Sequence, residues 1–346
     1  MRHMQRQEDL FTLTNTLRPR WREVHGIALR YIFENLLPPQ GLLQNSIANG
    51  PESRWCRMIR SMKSIMLVCK SWHTAAYPLL YRDIVLRRVG QVAAFARTLR
   101  SSPGTFAYYV RSVTITCGIP DSWKRVTGQS LAYIAQQCPN LTSLSFRAVF
   151  VDRDPEAHTP LQVLHTGLTP LTVPNNITHL GLFDERQFSK EYKPPFSSLT
   201  PLLSWCAHLI SLSISASSLP LPGDDLVFQF SQLETLSIWS YRESGDNVEN
   251  LPLSWDMPKL SALRLKPAVC FNQTSGARLA SFCRKYAHTL THLDFGGDRD
   301  FALSLETLDQ QSTAASLCPN LRHLVLRVSE CHTYSLEEVW YRMKQS

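Results

Sequence analysis

The chain has 346 residues, 44% of them hydrophobic and 18% charged, with a net charge of +8. That apolar content supports a sizeable core and excludes wholesale disorder, and no apolar run reaches the roughly eighteen residues of a membrane-spanning helix. The charge is uneven: residues 1–100 hold 16 Lys/Arg against 6 Asp/Glu, and the remaining 246 hold 20 against 22.

Residues 1–20 lack the apolar segment of a secretory signal and read as a disordered tail. The segment "WREVHGIALRYIFENLLPP" (21–39) reads as a helix ended sharply by Pro38-Pro39. Its apolar residues Trp21, Val24, Ile27, Ala28, Tyr31, Ile32, Phe33 and Leu36 cover most of the circumference. Such a helix is buried on more than one side, and in a small module one side is open to a partner. A long connection, Gly41 to about Lys63, then leads to "SIMLVCKSWHTAAYPLLYRDIVL" (64–86). Here Ile65, Val68, Cys69, Trp72 and Ala76 form one helical stripe, and Pro78 interrupts it. The basic residues of this first third alternate with apolar positions. They fit the solvated faces of amphipathic helices, an acidic protein partner, or nucleic acid.

From Tyr81 a repeat begins. The segments "YRDIVL" (81), "VRSVTI" (110), "LTSLSF" (141), "ITHLGL" (177), "LISLSI" (209), "LETLSI" (233), "LSALRL" (260), "LTHLDF" (290) and "LRHLVL" (321) all have apolar or aromatic residues at places one, four and six. Their starts are 29, 31, 36, 32, 24, 27, 30 and 31 residues apart. The alternation predicts a short half-buried strand in each. Between strands lie helical stretches, with Val92, Phe95 and Leu99 on one, Leu131, Ile134, Ala135 and Cys138 on another, and Leu279, Phe282 and Cys283 on a third. A unit of strand, turn, helix and turn cannot bury its own apolar face, so the units must stack, strands inside and helices outside. The predicted class is α/β, a parallel-stranded solenoid over 81–330 preceded by a small all-α module at 21–80. Residues 331–346 read as a cap or tail.

Nine scattered cysteines without a C-x-x-C pair point to a reducing compartment, cytoplasm or nucleus. The N-x-S/T triplets at Asn140, Asn176 and Asn272 then read as chance matches. No P-loop, G-x-S-x-G, H-E-x-x-H or G-x-G-x-x-G occurs, so neither an enzyme nor a cofactor is implied. His179, His292 and His323 recur at the third place of their units. They read as polar residues on a sheet face rather than as metal ligands.

That face is the chemistry on offer. Places three, five and seven point away from the core. They include Ser143, Ser145 and Arg147; Thr235, Ser237 and Trp239; Arg264 and Lys266; His292 and Asp294; and His323 and Arg327. A tryptophan beside arginines is the composition of an interaction hot spot, and the hydroxyl residues fit plain solvent equally well. Trp239, Arg264 and Asp294 are expected to share one open patch.

The array resembles leucine-rich repeats of the long, cysteine-containing kind, in which a helix ends in a C-P-N-L step; "CPNL" stands at Cys138–Leu141 and Cys318–Leu321. The helical module resembles the F-box, whose I-F-x-x-L, V-C-[KR]-x-W and P-x-L-[YW] read here Ile32–Leu36, Val68–Trp72 and Pro78–Tyr81. The order of the two is similar to fungal F-box proteins with repeats. The resemblance implies an adaptor of a cullin-type ubiquitin ligase. Ile32, Phe33, Leu36, Val68 and Trp72 would bind a Skp-type linker that joins the cullin, and the repeats would bind a protein substrate. A repeat scaffold without a ubiquitin link, the helices serving only as a cap, is the alternative. A nucleic-acid binder is least favoured, since basic and aromatic residues do not gather on one element.

Overall fold

The nine repeat segments form one parallel sheet. The computed structural model describes residues 26–37, 52–102, 104, 106–148, 176–184, 208–215, 219, 227–239, 251–266, 273–295 and 318–326. Its strands are β1 (Asp83–Leu86), β2 (Ser112–Ile115), β3 (Ser143–Ala148), β4 (His179–Asp184), β5 (Ser211–Ser215), β6 (Thr235–Trp239), β7 (Ala262–Lys266), β8 (His292–Phe295) and β9 (His323–Leu326). They pair strictly in chain order, β1 through β9. Because each strand follows its predecessor in the same sense, every unit returns over the same face, the order of a solenoid-like stack.

The register explains the spacing of the apolar residues. Val113, Leu144, Leu180, Leu212, Leu236, Leu263 and Leu293 lie in one row across the sheet. Leu86, Ile115, Phe146, Leu182, Ile214, Ile238 and Leu265 form the next row, and both rows are buried in one continuous core. The residues at the first place, Val110, Leu141, Ile177, Leu209, Leu233, Leu260 and Leu290, close that core at the entrance to each strand. Each such side chain contributes about 1.5–3 kcal/mol on burial.

The backbone is wired between units by a recurring bond pair. The carbonyls of Arg111, Thr142, Thr178, Ile210, Glu234, Ser261 and Thr291 each accept two successive N–H groups of the next unit, at 2.8–3.0 Å. Asparagines in the preceding turns reach back as well. Asn140 donates to the Tyr108 carbonyl at 2.7 Å, Asn176 to that of Pro139 at 2.7 Å, and Asn320 to that of His288 at 2.8 Å. These bonds satisfy turn carbonyls that would otherwise lack partners.

The helices are α1 (residues 26–36), α2 (Arg54–Met66), α3 (Lys70–Arg82), α4 (Val89–Ser101), α5 (Lys124–Gln137) and α6 (Gln273–Lys285). Helices α4, α5 and α6 bury the expected stripes: Val92 and Leu99; Leu131 and Ile134; Leu279, Phe282 and Cys283. Phe95 packs against the same core from a partly exposed position.

Helices are described in the units that follow β1, β2 and β7. The described residues between β5 and β7 include no helix, and they carry an aromatic cluster. Trp255 is fully buried, with the rings of Phe230 and Phe228 at 5.3 and 5.6 Å. Lys285 and Tyr286 both donate to the Trp255 carbonyl at 2.6 Å, tying α6 to this cluster.

Three expectations for the helical module are corrected. Helix α2 starts within the connection from Gly41 to Lys63, begun by Ser53, whose hydroxyl accepts the Cys56 N–H at 3.2 Å. The stripe from Ile65 to Ala76 is not one helix, because the chain breaks at Leu67–Cys69, where Cys69 is extended (φ −162°, ψ 170°). Nor does Pro78 end a helix; it lies inside α3. The last turn is held by aromatic packing, with Tyr77 and Tyr81 4.7 Å apart and Tyr81 stacked at 5.3 Å on Phe106. That packing offsets the hydrogen bond Pro78 cannot donate.

The module has its own core of Leu29, Phe33, Met62, Ala75, Ala76 and Leu79. It meets the first strand through Arg87, whose guanidinium stands 4.8 Å over the Trp55 ring and donates to the Cys56 sulfur at 3.3 Å. Cys56, Cys69, Cys117, Cys138, Cys283 and Cys318 are all free. Burial pushes the Cys117 thiol up to about 11 and the Cys138 thiol to about 12. Cys283 is raised by its hydrogen bond with Cys318 and by burial. Such thiols are inert packing groups.

Candidate functional site

Two surfaces carry the residues singled out in the sequence. The first is α1. Its residues Leu29 and Phe33 point into the module core, and Phe33 meets the Trp72 ring edge-on at 5.3 Å. Much of the rest of the helix is apolar too, and open: Ile27 and Tyr31 opposite the core, Ile32 on its flank and Leu36 at the last position are all exposed, Ile32 at 50% and Leu36 at 66%. A helix that leaves four large apolar side chains in water carries unpartnered apolar surface. Arg30 and Glu34 pair along the helix at 3.3 Å, and Arg82 of α3 approaches the same carboxylate at 3.9 Å.

The five expected linker contacts therefore separate. Ile32 and Leu36 are open, and Val68 is exposed in the turn between α2 and α3. Phe33 is not; it is 2% exposed and is a core residue. Trp72 is partly buried against the same core. Helical phase separates Phe33, which falls on the side of Leu29 one turn earlier, from Ile32, about 100° round the helix; Leu36 shares the azimuth of Leu29 and is exposed at the last position of α1. Ile27, Tyr31 and Leu67 are exposed apolar residues of this region that were not singled out. The all-round apolarity of α1 was the signal for the first two.

The second surface is the sheet face turned away from the core. One row in register is Ser112, Ser143, His179, Ser211, Thr235, Ala262, His292 and His323. The next is Thr114, Ser145, Gly181, Ser213, Ser237, Arg264 and Asp294. From β2 to β6 this face is thus lined almost wholly by small hydroxyl residues, and its larger groups gather on β6 to β9. Trp239 is half-buried, and Arg264 is exposed. The His292 and His323 rings are 5.7 Å apart. His179 belongs to the same row, separated from that pair by three strands, β5 to β7, and its Nδ1 lies 2.8 Å from the Thr178 hydroxyl.

Register places Arg264 directly opposite Asp294, with Trp239 one pleat along on the adjoining strand. The three share one patch, but Asp294 is not open: it is 8% exposed. On its two neighbouring strands it stands in register with Arg264 and Val325. Arg147 and Lys266 occupy strand positions on the same face, and their side chains, like the whole of Arg327, lie outside the described residues.

Among the described residues no group of three or more His, Cys, Asp or Glu is placed to hold a metal ion, and no helix is long and apolar enough to cross a membrane. No protein-family model matches the chain, and no curated protein matches it in sequence.

Proposed function

We propose that the chain is a non-enzymatic adaptor of a cullin-type ubiquitin ligase, its helical module taking a Skp-type linker and its repeats selecting a protein substrate. The observation that carries the reading is the exposed apolar surface of α1 on a helical module joined directly to a nine-stranded parallel stack. The F-box resemblance of Ile32–Leu36 and Val68–Trp72 and the leucine-rich pattern of the strands give that arrangement its direction. Ile32, Leu36 and Val68 supply the linker contact, joined by Ile27 and Tyr31; Phe33 and Trp72 hold the helix that presents them. On the sheet, Trp239, Arg264, His292 and His323 supply the substrate contact. The adaptor's contribution is proximity, since holding a substrate near a charged conjugating enzyme makes the transfer effectively intramolecular.

The rival is a repeat scaffold without a ligase, in which α1–α3 only cap the array. The stacking of Tyr81 on Phe106 and of Arg87 on Trp55 favours a capping role, which the adaptor also needs. Affinity capture of the full chain with mass spectrometry decides between them. Recovery of a Skp-type linker and a cullin, lost with Ile32→Ala/Leu36→Ala, supports the adaptor. Recovery of other proteins without either leaves the scaffold.

A further inference from the structure

We propose that the solvent side of α2 and the turn after it form a docking strip for an acidic protein segment, distinct from the apolar side of α1. Helix α2 reads RWCRMIRSMKSIM and has no acidic residue in its first turn. With Met58, Met62 and Ile65 packed in the module core, helical phase puts Arg57, Arg60, Lys63 and Ser64 on the outer side. Arg54, Arg57, Arg60, Lys63 and Lys70 are all exposed.

The local acids do not neutralise this strip. Among the described residues of the module, the ion pairs join Glu34, Glu52 and Asp83 to Arg30, Arg60 and Arg82. None takes Arg54, Arg57, Lys63 or Lys70. The strip also opposes its own helix: Arg54 and Arg57 stand at the N-terminal end, where the macrodipole disfavours positive charge. At the far end Leu67, exposed, interrupts the cations before Lys70. A basic row with one open apolar residue complements an acidic segment with one apolar anchor.

A polypeptide fits better than the other anionic partners. A membrane-surface helix needs a free apolar face, and that of α2 is already spent on the module core. Single-stranded nucleic acid needs aromatic platforms, and Trp55, the aromatic residue of α2, lies under Arg87.

The test is fluorescence anisotropy of the full chain with a labelled Glu- and Leu-rich peptide of about fifteen residues, long enough to follow the about 20 Å of α2. Its Gln-for-Glu counterpart, duplex DNA and phosphatidylserine vesicles run beside it. Arg57→Glu/Lys63→Glu/Lys70→Glu should weaken the acidic peptide at least about tenfold, and Arg88→Glu/Arg97→Glu/Arg125→Glu, with the same change of net charge, less than about twofold. Ile32→Ala/Leu36→Ala should leave the peptide's affinity unchanged, so this strip and the linker surface succeed or fail separately. Should the Glu variant unfold, Arg57→Gln/Lys63→Gln/Lys70→Gln must show the same selective loss. Equal loss in the strip and control variants, no loss in either, or tighter strip-dependent binding of DNA or vesicles overturns the proposal.

Discussion

Replacing Phe33 and its neighbour Ile32 in turn tests the division of α1 into a buried and an open side. Phe33 is 2% exposed and packs in one core with Leu29, Met62, Ala75, Ala76 and Leu79, against Trp72 at 5.3 Å. Truncating a buried Phe typically costs about 3–5 kcal/mol. Domain stabilities lie at about 5–15 kcal/mol, so this change removes about a fifth or more of what holds a domain of that range. Ile32 and Leu36 lose little by truncation, since surface changes stay within about 0.5 kcal/mol and Ala favours the helix. Urea unfolding followed by far-UV circular dichroism gives the stabilities, and linker capture gives the function. The expected pattern is crossed: Phe33→Ala lowers the unfolding midpoint and loses linker through unfolding, whereas Ile32→Ala/Leu36→Ala keeps the midpoint and loses linker alone. A Phe33→Ala protein that unfolds normally would refute the packing of α1 described above.

On the sheet face, Arg264→Glu and Trp239→Ala should each leave the melting temperature nearly unchanged and reduce substrate capture while linker capture persists; loss of folding in either would remove them from the surface. Asn140→Ala and Asn320→Ala each delete one inter-unit hydrogen bond and should cost about 0.5–1.5 kcal/mol by urea unfolding. The thiols of Cys117 and Cys138 stand above their ordinary value of 9.0, at about 11 and about 12, because burial disfavours the thiolate. Between those values the folded chain holds more protons than the unfolded one. Stability is therefore whole below pH 9 and falls as pH rises, by up to about 1.4 kcal/mol per pH unit for each thiol. Cys117→Ala/Cys138→Ala should flatten that alkaline decline in melts between about pH 8 and about pH 10, whatever it costs at neutral pH.

The strands were legible because their signal is redundant. Leu144 alone says little, but the same place is apolar in all nine units at near-constant spacing, and burial of the whole row follows from stacking. The stripes of α4, α5 and α6 were legible from their three- and four-residue spacing. The clustering of Phe228, Phe230 and Trp255 was not, since each looks like an ordinary core residue in a sequence. In α1 the pattern could show that two sides were apolar, but not which of Ile32 and Phe33 faced the core. That depends on where α2 and α3 lie, a tertiary fact. The break at Leu67–Cys69 was hidden because Val68 and Cys69 continue the stripe of Ile65, so periodicity ran on through a turn. Asp294 was misjudged for a different reason: strand alternation fixes the face a side chain leaves by, and its neighbours fix how much water it meets.

The N-x-T triplets show how a fold can write a motif that belongs to another chemistry. In Asn140-Leu141-Thr142 the Asn amide reaches back to the Tyr108 carbonyl, Leu141 is buried, and the Thr142 N–H and hydroxyl both donate to the Arg111 carbonyl. Asn176-Ile177-Thr178 repeats every step, with Pro139 and Thr142 as acceptors. In Asn320-Leu321-Arg322 the third residue is not Ser or Thr, so no glycosylation signal exists, yet the Asn amide makes the same bond, to His288. The bond therefore follows the turn and not the triplet. A turn needing a side-chain amide, a core residue next and then a residue at the inter-unit carbonyl generates the triplet whenever that residue is Thr. Asn272 lies outside the described residues, so this argument covers two of the three. At the other two, the Asn amides are engaged in the stack's own hydrogen bonds.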